Sequence, residues 1–352
     1  MFLKNLKLTN FRNFTSLTLK FDRVTLLVGN NAQGKSNLLE SIHFLATSKS
    51  PRVEKDIELI KEGEGFARVE GEMEESDEGL SKLEIFMQKR EDGVEGLEKK
   101  VKVNGIPRRT LDYIGNLIVV YFSPEDINLV TGPPALRRWH IDLTLAQIDR
   151  EYKKSLTSYH GAISSKNRLL KRIREGSANV SELEYWTQTA LKFGTTVSAK
   201  RRHFFEVLNR QVLQDEFAFV YHENVISEER LKDYLQKEID ACASLIGPHR
   251  DDFTFTLNGK KLAHFGSRGE QRTAVLQLKM SELKFIQDLK NVLPLLLLDD
   301  VFSELDDTHR HIVTSVINGQ QTILSAVEDT QVPEEFLENV KLVRVEAGKI
   351  FT

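Results

Sequence analysis

The chain is short of cysteine, of long apolar runs and of any excess of one charge. Cys242 is the one cysteine in 352 residues, which excludes an intramolecular disulfide and a multi-cysteine zinc site; its ordinary reading is a small buried hydrophobe. No run of about 18 apolar residues occurs. The opening Met1-Phe2-Leu3-Lys4-Asn5-Leu6 also lacks the apolar core of a secretory signal. These absences predict a cytoplasmic protein with no membrane association. With 49 basic and 52 acidic residues, the formal net charge is -3, which argues against a protein that coats nucleic acid nonspecifically, so any DNA site has to be a local patch. Internal repeats and low-complexity tracts are missing too. What remains, 40% apolar and 29% charged, is ordinary for a globular chain of one large or two medium domains.

Leu3 to Leu8 and Phe14 to Phe21 alternate as half-buried strands do. Lys100-Val101-Lys102-Val103 alternates likewise, and Asn104-Gly105 directly after it signals a type I′ hairpin. The acidic stretch Glu72 to Glu78 reads as a solvated loop. The character changes at Thr131-Gly132-Pro133-Pro134, after which no proline occurs before Pro248 and long 3.6-residue periodicities predict a helical hairpin, broken near Glu175-Gly176-Ser177-Ala178-Asn179. Strand character returns at Phe253 to Leu257, with Asn258-Gly259 as a second hairpin signal. A helix (Arg268 to Ile286), an apolar strand (Val292 to Leu298), a helix (Asp307 to Ile317) and a strand (Gln321 to Ala326) follow. The expected architecture is an α/β head built from residues 1–132 and 245–352, with an α-helical arm, residues 133–244, inserted between.

Gly29-Asn30-Asn31-Ala32-Gln33-Gly34-Lys35-Ser36 follows the strand Val24 to Val28 and precedes an amphipathic helix beginning near Asn37, the context that a phosphate-binding P-loop requires. Backbone amides would close around a β-phosphate, Lys35 would supply a point charge, and Ser36 a hydroxyl for Mg²⁺. Leu295-Leu296-Leu297-Leu298-Asp299-Asp300 reads as the strand at the centre of a parallel sheet, ending in two carboxylates. Alone, the pair is explained by helix capping. With the P-loop, Asp299 would hold Mg²⁺ through water and Asp300 would polarise an attacking water. Ser267-Arg268-Gly269-Glu270-Gln271 opens a helix about 30 residues earlier, with Ser267 as N-cap and Glu270 as its capping-box partner.

That segment resembles the signature motif of ATP-binding cassettes, whose serine and helix N-terminus clamp the γ-phosphate held by a second protomer. Ser303-Glu304-Leu305-Asp306 resembles their D-loop. Within that superfamily the sequence resembles the RecF family nearly end to end. The resemblance lies in Leu8-Thr9-Asn10-Phe11-Arg12-Asn13-Phe14, Ala46-Thr47-Ser48-Lys49-Ser50-Pro51-Arg52, Phe122-Ser123-Pro124-Glu125-Asp126, and Gly132-Pro133-Pro134 with Arg137, Arg138 and Asp142. Gly247-Pro248-His249-Arg250-Asp251-Asp252 is its most specific string. It implies an ATP-dependent homodimer that binds double-stranded DNA at single-strand gap junctions, works with the RecO and RecR partners, and helps load the RecA recombinase. It also implies that Arg12 reaches the nucleotide's phosphates or base, an exposed strand arginine being the alternative.

Glu270 stands where glutamine is common in the family, and no glutamine occurs from Tyr121 to Val130, so Glu125 or Asp126 would fill the Q-loop role. The strand after the D-loop ends Ser325-Ala326-Val327, where cassettes often place histidine; Ser325 would contact the γ-phosphate or its water. Asp300 is then the candidate base, one methylene shorter than the usual glutamate, which predicts slow hydrolysis. Arg137, Arg138, His249 and Arg250 fit either structural salt bridges or functional contacts.

Arg168, Lys171 and Arg172 fall at i, i+3 and i+4 on one helical face, and Lys200-Arg201-Arg202 follow later. They are the candidate DNA contacts, an ordinary solvated face being the alternative. No aromatic is interleaved with them, so duplex backbone contact without sequence readout is the expectation. A small-molecule kinase would have no use for a signature motif. A transporter cassette needs the absent glutamine and histidine, and a chromosome-scaffold ATPase needs longer heptad arms.

Overall fold

The computed structural model describes residues 2–75, 79–90, 96–212, 216–303, 310, 313–314, 317, 319–329 and 340–351. Two compact units emerge, Met1–Asp126 with Ile286–Thr352, and Ile127–Phe285. In chain order the first unit begins with strands β1 (Phe2–Phe11), β2 (Phe14–Lys20) and β3 (Val24–Val28), helix α1 (Lys35–Thr47), and strands β4 (Phe66–Glu75), β5 (Gly79–Lys89), β6 (Leu97–Val103), β7 (Ile106–Arg108) and β8 (Val119–Phe122). The second unit holds the long helices α2 (Pro134–Ile148), α3 (Arg150–Arg174) and α4 (Glu184–Gln211), and strands β9 (Phe217–His222), β10 (Asp252–Leu257) and β11 (Lys260–Lys261). Helix α5 (Arg268–Lys290) runs across the division, and strands β12 (Leu295–Asp299), β13 (Thr322–Ala326), β14 (Lys341–Glu346) and β15 (Lys349–Phe351) complete the first unit.

The first unit is α/β, with α1 packed against two six-stranded sheets. One sheet is antiparallel in the order β2-β1-β4-β5-β6-β7; the other runs β15-β14-β3-β13-β12-β8, parallel except for the hairpin strand β15. β3 and β12 lie inside the parallel sheet, which explains why both are apolar on both faces. Helix α1 is buried nearly all round, its Leu38, Leu39, Ile42 and Leu45 joining a core shared with both sheets. The Asn104-Gly105 hairpin forms as expected, with both residues at positive φ (52° and 76°) and Val103 paired to Ile106. The Asn258-Gly259 hairpin likewise has φ of 50° and 76°.

The acidic stretch departs from the loop expectation. Glu72 to Glu75 continue β4, because Glu70, Glu72 and Glu74 alternate onto one face and meet partners on neighbouring strands: Lys82 (2.9 Å), Asn5 and Lys4 (2.8 Å) respectively. Residues 76–78 lie outside the described set. So do Glu304, Leu305 and Asp306 of the D-loop resemblance and most of the helix expected from Asp307 to Ile317.

The second unit contains the expected helical hairpin, α3 against α4. It also contains a strand in the stretch expected to be all helix. β9 pairs antiparallel with β10 over six residues each, from Phe217↔Leu257 to His222↔Asp252, ties the chain beyond residue 245 to the arm, and so carries the compact unit on to Phe285 rather than 244. Among the described residues no helix is long and apolar enough to cross a membrane.

Candidate functional site

Residues 29–34 form the loop between β3 and α1, and Lys35 and Ser36 open the helix. Two glycines are required there. Gly29 has φ of 153° and a Cβ on it would stand 2.3 Å from the Val345 carbonyl oxygen; Gly34 has φ of 117° and its Cβ would meet Asn13 Nδ2 at 2.6 Å. Ala32 also sits at positive φ (64°). The loop is braced from both sides. Asn13 Nδ2 donates to the Gln33 carbonyl (3.0 Å), while Gln33 Oε1 accepts from the backbone N–H of Ala347 in the β14–β15 turn (2.7 Å). Asn37 Nδ2 donates to Asn13 Oδ1 (2.8 Å).

Lys35 is only 7% exposed, and its ammonium donates to the carbonyls of Gly29 (2.5 Å) and Asn30 (3.0 Å). Burial pushes its pKa down, opposed by the nearby charges of Asp300 and Asp299. Asn31, Gly34, Lys35 and Ser36 line a cavity of 220 Å³ whose far wall is Asp299, Asp300 and Ser325. The parallel register Asp299↔Ser325 places those side chains together at the carboxyl ends of β12 and β13.

Asp299 is the hub of this wall. Its Oδ1 accepts hydroxyls from Ser36 (2.9 Å) and Ser325 (2.7 Å), and its Oδ2 accepts the phenol of Tyr121 on β8 (3.0 Å). Burial holds the Asp299 carboxyl above its ordinary range, and the three hydroxyls offset only part of that rise. Ser325 Oγ also accepts the backbone N–H of Asp300 (3.0 Å). Asp300 itself stands at positive φ (49°) with Oδ1 buried and without a hydrogen-bond partner, an arrangement that calls for a ligand or water. A hydroxyl, a buried carboxylate and an orphaned carboxylate oxygen beside an ammonium suit a phosphate with Mg²⁺, a cation that takes few protein ligands and keeps waters. Among the described residues no cluster of three or more His, Cys, Asp or Glu could hold a metal by itself.

Two residues of the site have no role in the sequence motifs: Arg52, which lines the cavity, and Tyr121, which lies outside its lining and reaches it through Asp299. Arg52 lines the cavity and donates to Asn37 Oδ1 (2.9 Å). Tyr121 was readable as an anomaly, a hydroxyl in the apolar run Leu117 to Phe122 that needs a partner once buried. Glu125 reaches the cavity, whereas Asp126 Oδ2 caps the preceding turn through Ser123 N–H (2.7 Å). Arg12, expected at the phosphates, grips the fully buried Glu40 of α1 instead, with bonds of 2.9 and 2.8 Å, and Arg12 Nη1 donates to the Glu58 carbonyl (3.2 Å). A buried carboxylate without that guanidinium would be far costlier than an idle arginine.

Ser267 caps α5 as expected. Glu270 N–H donates to Ser267 Oγ (3.3 Å), and Glu270 Oε2 accepts from both the backbone N–H (2.7 Å) and the hydroxyl (2.8 Å) of Ser267. These bonds hold the Glu270 carboxyl below its usual range. Ser267 and Gly269 are exposed.

The six candidate DNA residues divide sharply. Arg168, Lys171 and Arg172 are exposed on α3. Lys200 is paired with Asp149 (2.8 Å) and Glu151 (3.0 Å), and Arg202 with Glu223 (2.9 Å). Arg201, expected as another DNA contact, is 1% exposed; it donates to Asp142 (2.6 Å), Asp251 (2.8 Å), Tyr152 (3.0 Å) and the Pro248 carbonyl (2.7 Å). It cannot touch DNA from there. The signal was present: Val197, Phe204, Phe205 and Leu208 share its helical face, while Lys200 and Arg202 do not. Arg137 pairs with Asp252 (2.6 Å), Arg138 donates to the Asp251 carbonyl (2.8 Å) and Arg250 to that of Ser244 (2.9 Å). His249 bridges Tyr159 (2.6 Å) and the Ser244 carbonyl (2.9 Å), so all four are structural contacts of the second unit.

Comparison with known proteins agrees with this geometry. Residues 2–350 match the family described as the RecF/RecN/SMC N-terminal domain. The DNA replication and repair protein RecF of Staphylococcus aureus is 36% identical over 376 residues, covering 99% of this chain and all of that protein. A solved structure of the recombination mediator protein RecF with ATP, in the RecFOR pathway, superposes with a TM-score of 0.89 at 30% identity, covering 99% of this chain and 97% of the other. An SMC head from Pyrococcus furiosus, at 16% identity and a TM-score of 0.52 over 99% of this chain and 96% of that one, shares the fold alone. The chain belongs to the RecF family of DNA replication and repair proteins.

Proposed function

We propose that the chain is a recombination mediator of the RecFOR pathway that binds ATP and Mg²⁺ in the 220 Å³ cavity, closes into a homodimer around the nucleotide, and reopens on slow hydrolysis. The observation that carries this reading is the wall of the cavity, where Ser36, Asp299 and Ser325 form one hydrogen-bonded unit beside an Asp300 oxygen that has no partner. The relative with ATP supports it from outside.

In this reading the amides of residues 29–36 cradle the β-phosphate, and Lys35 leaves its loop carbonyls for the phosphate oxygens. Mg²⁺ would neutralise charge between the β- and γ-phosphates, held by Ser36 directly and by Asp299 through water. Asp300 Oδ1 takes the proton of the attacking water, and Ser325 positions that water or the γ-phosphate. Ser267 and the exposed amides at the start of α5, with Gly269 allowing close approach, clamp the γ-phosphate held by the other copy. Arg168, Lys171 and Arg172 contact the backbone of double-stranded DNA at gap junctions. RecO and RecR are the partners, and RecA loading is the outcome.

Two variants test the chemistry. Asp300→Asn should keep ATP affinity while single-turnover hydrolysis falls by about a hundredfold or more, and Lys35→Met should lose affinity. Full hydrolysis by Asp300→Asn would remove Asp300 from the role of base.

A further inference from the structure

Among the three hydroxyls on Asp299, two belong to side chains with other work in the site. Ser36 lines the cavity at the start of α1, and Ser325 lines it while also accepting the Asp300 N–H. Tyr121 is different. It lies outside the cavity lining, 6% exposed, on the strand that pairs in parallel with β12, Tyr121 opposite Leu297. Its ring packs on His43 of α1 at 5.6 Å between centroids, and His43 is itself buried, with Nδ1 3.1 Å from the Lys49 carbonyl oxygen. The phenol is thereby held by the core and aimed at the carboxylate oxygen that Ser36 and Ser325 do not use.

We propose that Tyr121 is the positioning residue of Asp299: its hydroxyl fixes Oδ2 and so turns Oδ1 toward Ser36 and the cation that accompanies the nucleotide. The inference rests on the nucleotide-site reading and adds to it the group that sets the cavity's metal affinity. When Ser36 turns to the cation, its bond to Asp299 is given up, but the Tyr121 bond has no need to change. The carboxylate then keeps one rotamer in both states, and no ordering of Asp299 opposes cation binding.

The test uses the full chain, Mn²⁺ as an EPR-visible probe and a slowly hydrolysed ATP analogue. Tyr121→Phe retains the ring against His43 and removes only the hydroxyl. Its Mn²⁺ affinity in the presence of the analogue should fall by about tenfold, the ratio that one hydrogen bond to a charged group is worth. Affinity for the analogue in EDTA, and the melting temperature, should remain those of the wild type. Tyr121→Leu should show the same metal loss and carries the test should the Phe variant fold poorly. Unchanged Mn²⁺ affinity in both variants overturns the proposal, and so does an equal loss of metal-free analogue affinity, which would make Tyr121 a packing residue. A wild-type protein that takes up no Mn²⁺ with the analogue overturns the nucleotide-site reading, and this proposal with it.

Discussion

Replacing Arg201 with methionine removes a guanidinium from the interior of the second unit while leaving a side chain of similar reach. Four bonds are lost, two of them to carboxylates, Asp142 (2.6 Å) and Asp251 (2.8 Å), and the others to Tyr152 and the Pro248 carbonyl. Asp251 is buried, and breaking one side of a buried pair costs about 3–5 kcal/mol because the other charge stays behind. The lower end applies here. Asp251 keeps the Asn224 N–H (2.7 Å) and the Tyr221 hydroxyl, and Asp142 keeps that of Tyr152. A loss of about 3 kcal/mol corresponds to a melting temperature lower by roughly 6–12 °C for a unit of this size. Arg202→Met removes only an exposed pair with Glu223, and should cost less than about 1 kcal/mol. Differential scanning calorimetry of both variants, with DNA affinity measured well below either transition, separates the roles. Arg201→Met should melt early yet bind DNA as the wild type does. A melting temperature within about 2 °C of the wild type, together with lost DNA binding, would refute the structural role and return Arg201 to the surface.

Glu270→Gln should tighten the ATP-dependent dimer, since the carboxylate that now holds Ser267 Oγ (2.8 Å) would face the partner's γ-phosphate as a like charge. The gain should shrink as salt is raised; a dimer constant unmoved at low salt would show that Glu270 does not face the phosphate. Neutralising Arg168, Lys171 and Arg172 together should weaken duplex binding without regard to sequence and flatten the salt dependence by about two to three units of slope; an unchanged slope places the DNA elsewhere. His249 is half-buried, its Nε2–H given to the Ser244 carbonyl and its Nδ1 accepting from Tyr159, and loss of solvent lowers its pKa from 6.5 to about 4. Its neutral form is therefore favoured by folding, and that stabilisation is complete above pH 6.5 and lost as pH falls toward 4. Urea midpoints across that range should fall less steeply for His249→Gln than for the wild type, and parallel curves would assign the acid sensitivity to other groups.

The candidate nucleotide cavity was legible because its motif is contiguous. Gly29 to Ser36 occupy one loop whose strand and helix are visible on either side, and the Asp pair ends an apolar run that only an interior strand tolerates. The two Asn-Gly hairpins were legible for the same local reason, since their conformation is fixed by two residues. What sequence could not supply was the partner across the fold. Arg12 looked available for phosphate until Glu40, 28 positions on, took it. Tyr121 reaches Asp299 across 178 positions. Glu72 to Glu75 looked like a solvated run because strand neighbours Asn5 and Lys4 lie far away in the chain. Arg201 was misjudged by reading Lys200-Arg201-Arg202 as a charge run rather than by the helical face that it shares with Val197 and Phe204. β9 was hidden in a helix-rich segment because its pairing strand, β10, is some thirty residues away.

Sedimentation velocity of the purified chain without nucleotide, with ATP and with ADP, alongside Ser267→Arg, decides whether two copies close around ATP. A composite site gives a monomer alone and with ADP, a dimer with ATP, and no ATP-dependent dimer in the variant, whose long cation would fill the space where Ser267 would meet the phosphate. A monomer under every condition would contradict the composite site and leave the cavity to act within one chain.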